Sequence, residues 1–177
     1  MNSIMKHMKQ INQPLRLTHT LEPIYFSDSE VLILGSFPSP KSREYGFYYG
    51  HPQNRFWDVI SFVFQEEKPL EIMQKIDFLK RHHIALWDVI ESCTITGAAD
   101  SSIENPIPND IGSIVKASNI NLIFTTGATA HKLYYQLIYP NIQLEAKKLP
   151  STSPANCRMS FQNLINNYVL IKESMNH

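Results

Sequence analysis

Val31-Leu32-Ile33-Leu34-Gly35-Ser36-Phe37-Pro38-Ser39 is an unbroken apolar run that stops at a glycine and continues into Ser and Pro. A run with no polar alternation suits a strand covered on both faces, as in a parallel sheet. Residues 84–89 read the same way and end near Asp88. Residues 122–126 make a third such strand, which stops at Gly127. Residues 142–149 alternate more and read as an edge strand, running into Leu149-Pro150-Ser151-Thr152-Ser153-Pro154-Ala155-Asn156. Between the strands the period changes to that of helices. Phe56, Val59, Ile60 and Val63 share one face. Pro69 opens a helix with Ile72, Ile76 and Leu79 on one side. Asn109 is placed to cap a short helix with Ile111, Ile114 and Val115. Leu133 and Leu137 mark another helix, and Phe161, Leu164, Ile165 and Tyr168 the last. The order predicts an α/β three-layer sandwich: a small, mainly parallel four-stranded sheet flanked by helices. Residues 91–108 read as a long irregular segment. Residues 1–20 read as a mobile or loosely docked arm, and residues 21–177 as a single α/β domain.

All four strands then aim their carboxyl ends at one edge, where α/β proteins place their sites. Gly35 to Ser39, Asp88, Gly127 and Ser151 to Asn156 converge there. The bulk properties are consistent with one folded body. The chain has 177 residues, 43% of them hydrophobic, and its formal net charge is +0. No apolar run approaches the roughly 18 residues of a membrane span. The two cysteines, Cys93 and Cys157, lie far apart and are expected to be free thiols in the cytoplasm. A balanced charge argues against coating long nucleic acid. Locally, however, Lys41, Arg43, His51 and Arg55 gather around the first strand end, and Lys147, Lys148 and Arg158 flank the last. That suits contact with a few phosphates, or ordinary solvated surface.

Several chemistries are excluded. No Gly-x-Gly-x-x-Gly follows the first strand, and there is no Walker loop. Ser36 does not stand in a Gly-x-Ser-x-Gly elbow. His82 and His83 are adjacent, so they do not share a helix face and make a poor metal site. What remains is an aromatic and amide-bearing segment, Tyr48-Tyr49-Gly50-His51-Pro52-Gln53-Asn54-Arg55-Phe56-Trp57, beside a Ser- and Pro-rich turn.

These two stretches resemble motifs one and two of the uracil-DNA glycosylase superfamily. His51 to Trp57 is similar to the matching segment of the mismatch-specific uracil glycosylases. With Gly35-Ser36-Phe37-Pro38-Ser39, Leu86-Trp87-Asp88-Val89 and Leu149 to Asn156, the whole pattern resembles the hypoxanthine-DNA (deoxyinosine) glycosylase branch more closely. It spans residues 31–156. The resemblance implies a monofunctional repair enzyme that flips a deaminated base, hypoxanthine or uracil, from DNA and hydrolyses its N-glycosidic bond. It implies no metal or cofactor for that step. The implied partner is damaged DNA, duplex or single-stranded, without a membrane, and the protein is expected to be a cytoplasmic monomer.

The resemblance also assigns residues. The mismatch-specific relatives carry Gly-x-Asn-Pro-Gly in motif one, and their Asn positions the attacking water. Here Phe37 stands in that place and cannot hold water. Asn54 is the replacement, with its amide holding water and its oxygen facing the sugar, though its position equally suits a helix N-cap. Tyr49 matches the aromatic that stacks on the flipped base, or is a core tyrosine. Ser36 and Phe37 are expected to face the base with their backbone amides. Asp88 reads the base edge, braces a loop, or pairs with Arg55. Ser151 and Ser153 are expected at a DNA phosphate, and Pro154, Ala155 and Asn156 in the gap left by the flipped base; a plain Pro-rich turn explains the same residues. No lysine in the motifs is placed for a Schiff base. The alternatives are a uracil or mismatched-thymine glycosylase, a non-catalytic damaged-DNA-binding relative, and a nucleotide-binding α/β protein that matches by chance.

Overall fold

A computed structural model describes residues 13–175. Its centre is a parallel sheet of β2 (Val31–Gly35), β3 (Ile84–Asp88), β6 (Leu122–Thr126) and β7 (Ala146–Leu149), in the spatial order β3-β2-β6-β7. The register aligns Gly35 with Asp88, Leu34 with Thr125, and Thr126 with Leu149. The strand ends therefore lie level at one edge, and the chain reverses its order of addition between β2 and β6. An open α/β sheet leaves a crevice at such a reversal.

Successive side chains of β2 go to opposite faces. Val31 and Ile33 join Ile84, Leu86, Phe124 and Leu149 under α2 (Phe56–Phe64), α3 (Ile72–Arg81) and α7 (Phe161–Ser174). Leu32 and Leu34 join Ala85, Ile123 and Ala146 under α4 (Ile111–Lys116), α5 (Ala128–Leu137) and α6 (Tyr139–Ile142). A short helix, α1 (Pro40–Tyr45), follows β2 at the site edge. The three-layer arrangement agrees with the reading of the buried runs.

The segment expected to be irregular is instead a second sheet. β1 (Leu15–Thr18), β4 (Ile90–Ile95) and β5 (Glu104–Pro108) form an antiparallel sheet in the order β1-β4-β5. Its strands are short, and the β4–β5 register shifts twice, which destroys the period-2 pattern that would reveal them. Residues 1–12 of the expected arm lie outside the described residues. Its later part is paired, because Leu17 packs on the core while Arg16 ties the three strands together, donating to Asn105 O (2.6 Å) and Ser92 Oγ (2.7 Å).

Two helix starts also differ from expectation. Asp110, not Asn109, caps α4, its Oδ1 accepting from Ser113 N–H at 3.1 Å. Asn109 is drawn inward instead, and its Nδ2 donates to Asp88 O at 2.9 Å. Pro69 stands upstream of α3, whose first turn is tied by Gln74 Oε1 accepting from Glu71 N–H at 3.0 Å.

Gly35 is required by its neighbour. A Cβ at this position would lie 2.4 Å from Asp88 Oδ1, inside any permitted contact. Gly35→Ala should therefore displace the buried carboxylate and lower unfolding free energy by about 1–3 kcal/mol, read from urea unfolding curves. A variant as stable as the parent would mean that Asp88 can retreat freely.

Candidate active site

The switch point opens into a cleft of about 740 Å³, a volume suited to a nucleotide-sized ligand. The residues given base-binding, catalytic or DNA-contact roles from sequence line it: Ser36, Phe37, Tyr49, Asn54, Asp88, Ser151, Ser153, Pro154, Ala155 and Asn156, whereas Gly127, Arg55, Lys147, Lys148 and Arg158 do not. The topology thus brings together side chains from the ends of β2, β3 and β7 and from the loop before α2.

Tyr48 and Tyr49 point in different directions. Tyr48 is buried, donates to Glu22 O at 2.8 Å, and has its own carbonyl held by Trp57 Nε1 at 3.1 Å. Tyr49 adopts φ +55°, an uncommon left-handed conformation for a bulky residue and a mark of a constrained site. Its ring lies flat on Phe56, with centroids 3.8 Å apart and planes 10° apart. Phe56 therefore backs one face of the ring. Burial, then the Asp88 charge, pushes the Tyr49 phenol well above its ordinary range, so it stays neutral.

Asn54 is held from two sides. A tight turn sets its backbone, with Asn54 N–H donating to His51 O at 2.9 Å. Its Oδ1 accepts from Phe56 N–H at 2.9 Å and from Thr152 Oγ1–H at 2.8 Å. The Phe56 donor dictates which end of the amide is oxygen. The carbonyl lone pairs are thus occupied, and the oxygen is not free to face a sugar as expected. The Nδ2 group has no protein acceptor among the described residues and is the end that remains for a ligand or water. The formal N-cap of α2 is Arg55. Asn54 nonetheless satisfies a first-turn N–H, so capping and a free amide coexist on different atoms.

Asp88 does not pair with Arg55. Its Oδ2 accepts from His19 Nε2 at 2.7 Å, with both side chains buried. His19 Nδ1 accepts from Leu21 N–H at 3.1 Å, which puts the ring proton on Nε2 and makes it the donor. Arg55 instead clamps the last loop, donating to Asn156 O (3.0 Å) and Met159 O (2.5 Å). Opposite, Ser36 Oγ donates to Asp100 Oδ2 at 2.5 Å. Asp100 sits on a short 3₁₀ turn between β4 and β5 and forms a wall of the cleft. Burial, then the Asp88 charge, raises its carboxyl above the ordinary value.

The Ser- and Pro-rich loop is braced by itself. Ser151 Oγ accepts from Ser153 N–H, Ser153 Oγ accepts from Ala155 N–H, and Asn156 Nδ2 donates to Ser151 O at 2.9 Å. A 3₁₀ turn over Pro154–Asn156 presents it. The loop does not run straight into the last helix, as the sequence suggested; α7 starts later, capped by Ser160, whose Oγ accepts from Asn163 N–H. Sequence reasoning missed His19, Asp100 and Thr152, whose roles depend on contacts far apart in the chain. Of the cations gathered around the first strand end, Lys41 lines the cleft with its Nζ 3.0 Å from Glu44 Oε2.

A profile described as "Uracil DNA glycosylase superfamily" matches residues 23–170. The chain belongs to this superfamily and is by class a DNA glycosylase. It is similar to the hypoxanthine DNA glycosylase of Methanosarcina acetivorans, 34% identical over 135 residues, covering 75% of this chain and 84% of the relative. The protein of the same name from Methanosarcina barkeri is 34% identical over 139 residues, covering 77% and 86%. The solution NMR structure of a Methanosarcina acetivorans protein assigned to uracil DNA glycosylase superposes with a TM-score of 0.74 at 28% identity, covering 89% of this chain and 99% of that one. No helix among the described residues is long and apolar enough to cross a membrane.

Two measurements probe this geometry. His19→Ala leaves a buried carboxylate short of a donor and should cost about 1.5–3 kcal/mol in unfolding free energy; an unchanged midpoint would dissolve the His19–Asp88 pairing. For Asp100, a raised folded value means the native state binds the proton more tightly than the unfolded chain. Its contribution to stability is then full in acid and is lost as pH rises from about 4 through the raised value. Asp100→Asn should gain stability relative to the parent across that rise, and a difference flat in pH would contradict the burial.

Proposed function

We propose that the chain hydrolyses the N-glycosidic bond of a deaminated base, hypoxanthine first and uracil second, after the base has left the duplex, and leaves an abasic site in an unbroken strand. The observation that carries this reading is the Asn54 amide, fixed by Thr152 and Phe56 with Nδ2 to spare, in the same cleft as a Phe56-backed Tyr49. The name shared by the two Methanosarcina relatives supports the choice of base.

The residues divide the work as follows. The free face of Tyr49 stacks on the extruded base, worth roughly 1–3 kcal/mol, against the few kcal/mol needed to unstack and unpair it. The Asp88 carboxylate, turned by His19, accepts the N1–H of hypoxanthine. The loop of Ser151 and Ser153 meets a phosphate, and Pro154, Ala155 and Asn156 fill the vacated stack. As the C1′–N bond stretches, the sugar becomes cationic and the base anionic, and the Ser36 and Phe37 amides at the end of β2 stabilise that anion. Asn54 Nδ2–H donates to a water, whose remaining lone pair is aimed at C1′; as the C1′–O bond forms, the water's proton passes to the departing base anion. An oxocarbenium ion needs a positioned water more than a strong base, which suits an amide whose carbonyl is already bonded.

Base release from duplexes carrying deoxyinosine, uracil or a G·T pair tests the reading. Asn54→Ala should abolish release from deoxyinosine while DNA affinity at fixed salt stays within a few-fold. Thr152→Val, which removes one tether, should slow release about tenfold, the scale of one hydrogen bond. Borohydride should trap no adduct, since Lys41 is paired at the rim. The superfamily name favours uracil or mismatched thymine as the second reading, and the same panel separates it. Binding without any release would leave only a damaged-DNA reader.

A further inference from the structure

Arg43 lines the cleft without a task. Its Nε is out of solvent and lacks an acceptor, and among the described residues its guanidinium pairs with no carboxylate. The neighbouring cations differ. Lys41 holds Glu44, and Arg55 holds two carbonyls. The carboxylates of the cleft are also taken, Asp88 by His19 and Asp100 by Ser36. Buried donors are nearly always satisfied, so an orphan at a cleft wall calls for an acceptor that arrives from outside.

The backbone under Arg43 is fixed. Ser39 caps α1 by accepting from Ser42 N–H, Arg43 N–H donates to Ser39 O at 3.0 Å, and Gly46 ends the helix in the left-handed conformation. Ser42 Oγ accepts from Gly50 N–H at 3.0 Å, which locks α1 to the segment carrying Tyr49. The guanidinium carbon sits 5.9 Å from the Phe37 ring centroid, close enough for the ring to favour the cation there. The result is a planar, donor-only fork, placed in advance.

We propose that Arg43 reads the O6/N7 edge of an extruded 6-oxopurine and is a specificity-determining residue of the cleft. This rests on the hypoxanthine reading above. Adjacent O6 and N7 acceptors match the guanidinium fork, which is the commonest base-edge contact of Arg. Asp88, an acceptor, then meets the neighbouring N1–H, so the edge is covered acceptor to donor and donors to acceptors. Adenine presents an amino group where hypoxanthine has O6, and a guanidinium cannot accept from it. The undamaged purine is thereby disfavoured, because the site's donors stay unpaired. Uracil has no N7 and uses one arm of the fork at most.

The test is binding to duplexes with deoxyinosine, and with 7-deazadeoxyinosine, each on a 2′-fluoroarabino sugar that resists hydrolysis. The parent should prefer the N7-bearing base about tenfold, within the range of a bidentate base contact. Arg43→Met keeps an unbranched stem without the guanidinium and should bind both alike. Arg43→Lys restores charge without the fork and should recover general affinity but not the preference. A preference that survives in Arg43→Met overturns the assignment. So does an equal loss on both duplexes with a shallower salt dependence, which would make Arg43 a phosphate contact. Cleavage of ordinary deoxyinosine by the parent keeps the two readings apart: its absence removes the hypoxanthine reading and this one with it, whereas its presence with no N7 preference removes this one alone.

Discussion

The contact between Asp88 and the Cα of Gly35 governs what can stand around the cleft. A carboxylate buried at the end of a central strand is expensive unless its oxygens find donors. Here the β2 strand makes room by omitting a side chain, and the donors come from elsewhere: His19 from the end of β1, and Asn109, which steadies the main-chain carbonyl of the same residue. Beyond Asp88 the chain stays beside β2, with Val89 N–H on Gly35 O and Ile90 N–H on Ser36 O, before it enters the second sheet. One crowded junction thus joins the two sheets. It also delivers Asp100, on the β4–β5 connection, to the hydroxyl of Ser36.

The other half of the cleft is built on Asn54 by the same economy of groups. The start of α2 needs acceptors for its N–H groups, as every helix start does. The last loop needs an acceptor for the buried Thr152 hydroxyl. One carbonyl oxygen serves both, and a second bond, Arg55 N–H to Thr152 O at 3.1 Å, doubles the link. The amide nitrogen is left over because the structural demands are all for an acceptor. The cap uses the oxygen of this amide, and the reactive role proposed for Asn54 uses its other end.

The central sheet was legible because its strands are buried on both faces, so apolarity alone marks Val31 to Leu34 and Leu122 to Phe124 whatever their register. The second sheet was not, since it is exposed on one side, bulged and only a few residues deep, and Ser92 beside Glu91 interrupts the alternation of β4. Of the site, the residues carried on strand ends and turns could be placed from sequence, because parallel topology alone brings Gly35, Asp88 and Ser151 to one edge. Their partners could not. His19 meets Asp88 across 69 positions, and Thr152 meets Asn54 across 98. No local pattern encodes such pairs. The Asn109–Asp110 exchange has a similar cause: both residues can cap α4, and only the buried carbonyl of Asp88 decides which one turns inward.

The neutral charge of the chain sharpens what the cleft must do. Phosphate attraction supplies most non-specific affinity for DNA, and a protein without a basic excess has little of it. On the proposed function, discrimination then falls on groups that touch the extruded base itself. Such groups are effective when their ordering is completed on folding rather than on binding. The cleft meets that condition at each wall. Tyr49 is held in a left-handed conformation against Phe56, Asn54 is bonded at one end only, Asp88 is turned by a histidine of defined tautomer, and the last loop is clamped by Arg55. A base that pairs poorly in the duplex costs least to extrude, and a rigid slot adds its contacts only after extrusion. On the proposed function, selection acts twice on the same lesion, first through the weakness of its pairing and then through the pattern of donors and acceptors it shows to the cleft.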